Sequence, residues 1–125
     1  MIYNSRKARE IEVNGVKFFV KPFTVLQHAE YAEILNSDVN DSKGNLHTIY
    51  AGMEYLLSNV VENITGLKDY EGNDVDFKSV NKREFAEGFG VQDVIDITNA
   101  ISEMNRLLEA DKKKFLSQAE SGTGS

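Results

Sequence analysis

Residues 12–30, EVNGVKFFVKPFTVLQHAE, hold two alternating segments, a turn dipeptide, the chain's single proline and a helix-start signal. Ile11 and Val13 alternate with Glu10 and Glu12, and Val16, Phe18 and Val20 alternate with Lys17, Phe19 and Lys21. A period of two places one side of each segment in a core, so both are expected as strands. Asn14-Gly15 between them tolerates the positive φ that a two-residue hairpin turn demands. Pro22 has no N–H to give to a ladder and ends the second strand. Thr24 and Gln27 then match a capping box, each side chain satisfying a backbone N–H of the other. A β-hairpin over 10–21 therefore leads directly into a helix.

That helix, expected over about 24–36, is apolar nearly all round. Val25, Ala29 and Ala32 lie on one side, Tyr31, Ile34 and Leu35 reach toward the other, and Gln27, Glu30 and Glu33 form a narrow polar strip. Such a helix is covered on more than one side, either by its own domain or by a partner. Next comes NSDVNDSKGN, a polar loop. Asp38, Asn40 and Ser42 alternate like calcium ligands, but position six would be Lys43 rather than glycine and position twelve Ile49 rather than glutamate, so no calcium site is expected.

Leu46, Ile49, Tyr50, Met53, Leu56, Leu57, Val60, Val61 and Ile64 recur at helical steps and predict a second helix over about 46–64. His28 and His47 have no His or Cys companion at ligand spacing, so no metal site follows from them. In TGLKDYEGNDVDF, Gly66 and Gly72-Asn73 punctuate a small irregular excursion that buries Leu67, Val75 and Phe77. Its acids Asp69, Glu71, Asp74 and Asp76 sit on a polar loop. General acid–base catalysis needs a carboxyl held in an apolar pocket, which such a loop does not provide.

Asn81 with Glu84 caps a short helix over about 81–88, broken by Gly88 and Gly90. The last helix is expected over about 91–118, with Val94, Ile97, Ile101, Met104, Leu108, Asp111 and Phe115 in a three-four alternation. The first half of this seam suffices to close a core; the second half is expected to pass the body's edge. The whole is an α+β, mostly α, single domain over 9–118. Its N-terminal hairpin is followed by a bundle of about four helices, with a flexible arm at 1–8 and a flexible tail at 119–125.

The chain of 125 residues contains no cysteine, which excludes disulfides and thiolate chemistry. Its net charge of −6 is unevenly spread, with five basic and two acidic side chains in residues 1–21 but three basic and ten acidic in residues 22–81. An acidic body repels a phosphate backbone, so nucleic acid is not an expected partner. No apolar run approaches the roughly 20 residues of a membrane span, and the basic N-terminus has no apolar run after it. A soluble, intracellular protein is expected. Without a nucleophile elbow, phosphate loop, metal constellation or cysteine, the sequence suggests neither an enzyme nor a cofactor.

The hairpin EIEVNGVKFFVKPFTVLQHAEYAEIL running into a helix, the long apolar segment, the excursion ITGLKDYEGNDVDF, a short helix and a final helix together resemble the tail assembly chaperones of long-tailed bacteriophages. The resemblance covers most of residues 9–116. It implies a cytoplasmic protein of the infected or lysogenic host, absent from the mature virion, that binds the tape measure protein while the tail tube is built. It further implies the tail tube protein, a second copy and a longer frameshifted form of the same chain as partners. Lys112-Lys113-Lys114 fits a slippery adenine run for such a frameshift. The residues expected to contact the tape measure protein are Tyr31, Ile34, Met104, Leu108 and Phe115. The alternative class is a virion structural protein, such as a tail completion or connector subunit.

Overall fold

The computed structural model describes residue 1, residues 7–36 and residues 45–123, with side chains described as far as Asp111. The acidic loop at 37–44, and with it the calcium comparison, lies outside the described residues, as does most of the N-terminal arm.

Strands β1 (Arg9–Val13) and β2 (Val16–Val20) pair antiparallel, with Val13 opposite Val16 across the turn. Asn14 and Gly15 both take positive φ, 51° and 83°, as the sequence predicts for a two-residue turn that follows the twist of its strands. After β2 the backbone N–H of Lys21 donates to the Val60 carbonyl, and Pro22 and Phe23 turn inward as buried residues. Helix α1 (Val25–Asn36) starts on the expected reciprocal cap: the Thr24 N–H donates to Gln27 Oε1, and the Gln27 N–H donates to Thr24 Oγ1, each at 3.1 Å.

Helix α2 (Asn45–Asn59) is shorter than the sequence predicts, because residues 61–65 leave it to form strand β3 (Val61–Thr65). β3 pairs antiparallel with β2, giving the sheet order β1-β2-β3. The cause is legible afterwards. The register shifts between Phe19 and Val20, so Phe18 faces Ile64 while Val20 faces Val61. That bulge puts Val61 and Ile64, three residues apart, on one face of the strand, and an apolar spacing of three imitates a helix. The local chemistry favours the strand: Val60, Val61, Ile64 and Thr65 are all β-branched, and the Asn59 side chain donates back to the Tyr55 carbonyl at the helix end.

The excursion is held by a Lys68–Asp74 bridge and by the Val75 N–H donating to the Leu67 carbonyl. Two of its acids serve as turn residues. Asp69 Oδ1 accepts from the N–H groups of Glu71 and Asn73, and Asp76 Oδ1 accepts from the Lys78 N–H at the start of a 3₁₀ turn, Phe77–Ser79. Asn81 caps α3 (Lys82–Glu87) by accepting from the N–H groups of Arg83 and Glu84. Helix α4 (Val91–Thr123) continues through the stretch expected as a tail.

The core lies between the inner face of the sheet and helices α2 and α4. Phe18, Val20, Met53, Leu56, Leu57, Val94 and Ile101 meet there, all essentially without solvent contact. Among the described residues Asn105 is the buried polar side chain, and its amide is bonded at both ends. Its Oδ1 accepts from the Phe23 N–H at 2.8 Å, and its Nδ2 donates to the Ile101 carbonyl at 3.0 Å. This contact fixes the entry to α1 against α4. Among the described residues no helix is long and apolar enough to cross a membrane.

Candidate partner-binding surface

Helix α1 has one face on the body and one face off it. Tyr31 is its buried residue, and the Tyr31 ring lies 5.6 Å from that of Phe23 and 6.2 Å from that of Tyr55. Burial pushes the Tyr31 phenol above its ordinary pKa, and a hydrogen bond with Ser102 partly opposes the shift. On α2, Gly52 leaves room for this approach: a Cβ there would stand 3.3 Å from Tyr31 Cε1 and 3.4 Å from Leu35 Cδ2. The Tyr55 hydroxyl donates to Glu30 Oε2 at 2.5 Å, and its pKa is pushed up to about 12 by desolvation first and by the neighbouring Glu30 carboxylate second.

With that stripe fixed inward, 100° per residue turns positions 25, 26, 29 and 32 away from the body. Val25 is 88% exposed and Leu26 is 67% exposed, and Ala29 and Ala32 are exposed beside them. Isolated exposed apolar residues are ordinary, but a contiguous apolar stripe on a well-anchored helix marks a contact surface. The charged residues of α1 are Glu30 and Glu33, with no Lys or Arg in the helix. At 100° per residue Glu33 falls between Ala29 and Leu26 on this outward face and Glu30 at its edge, where it accepts from Tyr55, so the face is apolar with negative charge alone, which suits an apolar partner carrying a cation.

Of the five residues expected to contact a partner, the structure places two inside. Tyr31 is 7% exposed and Met104 is 9% exposed, and both belong to the core. Ile34 and Leu108 are half-buried, Leu108 packing against the core's edge. Phe115 lies on the backbone of α4, its side chain outside the described residues. The correction has a simple cause. Both sides of α1 are apolar, so composition does not say which turns in; Gly52 and Phe23 do, by receiving the Tyr31 ring. Val25 and Leu26 are left exposed on the other side.

Among the described residues no group of three or more His, Cys, Asp or Glu side chains is placed to hold a metal ion. Two open clefts accompany the α1 stripe. One, of about 520 Å³, lies between the hairpin turn, the excursion and the start of α4; the other, of about 560 Å³, lies between α2 and α3. No protein-family model, curated protein or solved structure matches the chain.

Proposed function

We propose that this protein is a tail assembly chaperone of a long-tailed bacteriophage, which binds the tape measure protein through the outward stripe of α1 and keeps it soluble until tail tube subunits enclose it. The observation that carries the reading is the exposure of Val25 and Leu26 on a capped helix anchored by its opposite face. A long helical client presents apolar stripes before its tube forms, and an apolar helix face covers such a stripe by helix-on-helix packing. Glu33 on the outward face and Glu30 at its edge select client segments that carry Lys or Arg with their apolar residues, and the net charge of −6 keeps the complex soluble. The reading places the protein in the host cytoplasm, outside the mature virion, acting without catalysis or cofactor.

The test is co-expression with fragments of the tape measure protein from the same genome, followed by assay of the cleared lysate. The unaltered protein should hold a fragment in the soluble fraction, and Val25→Asp with Leu26→Asp should lose it. Each of these side chains contributes roughly 1.5–3 kcal/mol when fully buried, so the pair accounts for well over a tenfold change in affinity. Circular dichroism of the double variant alone should match the parent, since neither position belongs to the core. Solubility retained by the double variant would remove α1 from the contact. No rescue by the unaltered protein, together with its presence in purified virions, would favour a structural subunit.

A further inference from the structure

The cleft beside the hairpin turn has no lining residue on α1 and is not used by the proposed function. Its walls are apolar: Val16, Leu67, Val75, Phe85 and Phe89 line it, each half-buried. Its rim carries the carboxylates Asp69 and Asp93 and the fully exposed ring of Tyr70. Lys68 also lines it, but its ammonium is already paired with Asp74. The walls are held in place, because the Asn14 side-chain amide donates to Asp93 Oδ1 and Asp96 Oδ2, both at 3.0 Å, and pins the hairpin turn to the first two turns of α4. An occupant that suits this site brings large apolar side chains with cations next to them, since volumes of this size take such groups and the rim is negative.

The chain carries one such segment itself. Lys112-Lys113-Lys114-Phe115-Leu116 sets three consecutive lysines directly before two large apolar residues. On α4, whose backbone is continuous through this stretch, residues 112, 115 and 116 share a face. They do not reach the cleft of their own chain. Asp93 and Phe115 lie on the same helix, and 22 residues at 1.5 Å each separate them by about 33 Å. We propose that the segment Lys112–Leu116 of one copy docks in the cleft of a second copy, Phe115 and Leu116 entering between the apolar walls and Lys112, on the same face, meeting the rim of Asp69 and Asp93, while Lys113 and Lys114 add positive charge beside it. The contact is heterologous: each bound copy still offers one free cleft and one free α4 end, so association proceeds beyond dimers into rings or chains.

Sedimentation equilibrium of the full chain over a concentration series tests this. The weight-average mass should rise with concentration beyond that of a dimer, and raised salt should weaken the association. Replacing Lys112, Lys113 and Lys114 together with Glu should weaken self-association at least tenfold, and Asp93→Lys should do the same, Asp96 remaining as the acceptor for Asn14. Mixing those two variants should restore association, because each then meets an opposite charge. Gly90→Leu fills the cleft mouth from a position where a Cβ meets no atom within 4 Å, and it should also block association. A full chain that stays monomeric at every concentration would overturn the proposal. So would self-association unchanged in the variants, or a mixture that does not recover.

Discussion

Replacing Asn105 with Leu isolates the contact that sets the direction of α1. The side chain is 4% exposed and bonds at both ends, to the Phe23 N–H at 2.8 Å and to the Ile101 carbonyl at 3.0 Å. Leu is close in volume, so little cavity opens and the loss is polar. The Ile101 carbonyl stays in the helix ladder of α4 and keeps its intrahelical acceptor role. The Phe23 N–H is different: it precedes the cap of α1, lies in the interior, and among the described residues its acceptor is Asn105 Oδ1. Leaving a buried donor unsatisfied costs roughly 1–3 kcal/mol, and the net loss of the bond itself is contained within that figure. We therefore expect a drop of about 2 kcal/mol in unfolding free energy from urea titration, with the slope against urea unchanged. Native-state hydrogen exchange adds the residue-level readout. The Phe23 amide should exchange faster in the variant by more than the global loss of stability accounts for, while the Val20 amide in β2 follows the global change alone. An unfolding midpoint equal to the parent's, or Phe23 protection that survives the substitution, would refute this role for Asn105.

Further outcomes follow from the same packing. Leu57→Ala and Ile101→Ala each empty a core position that is 1% or 0% exposed, and each should destabilise by roughly 2–5 kcal/mol in urea unfolding. Gly52→Val places atoms where Tyr31 Cε1 already stands 3.3 Å from a Cβ position, so α1 must move; a loss of roughly 1–3 kcal/mol is expected, with a changed near-ultraviolet tyrosine signal. Tyr55 gives a pH signature: its folded-state pKa is about 12 against an ordinary value of 10.0, so the neutral phenol is favoured on folding. That stability is fully present below about pH 10 and is lost as pH rises through about 12, so the advantage of the parent over Tyr55→Phe should be constant to about pH 10 and shrink above it. A parent–variant difference that grows above pH 10 would contradict the sign.

What the sequence revealed was local. Asn14-Gly15, the Thr24–Gln27 cap and the Asn81 cap each act within four residues, and each forms as read. The seam Val94–Ile97–Ile101–Met104 was legible because one uninterrupted helix carries it. Strand β3 was not, because its identity depends on an edge of β2 some forty residues earlier and on a bulge that gives Val61 and Ile64 a helical spacing. The core's polar anchor at Asn105 was also out of reach: an asparagine on a helix gives no sign of a partner N–H eighty-two positions away. Of the residues expected to meet a partner, Tyr31 and Met104 prove to be buried. The unusual apolarity of α1 was plain, but the choice of its inner face rests on Gly52, whose missing Cβ matters only once the two helices are brought together.

If the outward face of α1 binds the client as proposed, amide exchange of the purified protein with and without a tape measure fragment reads it out residue by residue. New protection should concentrate on residues 25–35, strongest around Val25, Leu26 and Ala29, with protection in β1 and β2 unchanged. Protection confined to other elements, or none at fragment concentrations that keep the complex soluble, would contradict it.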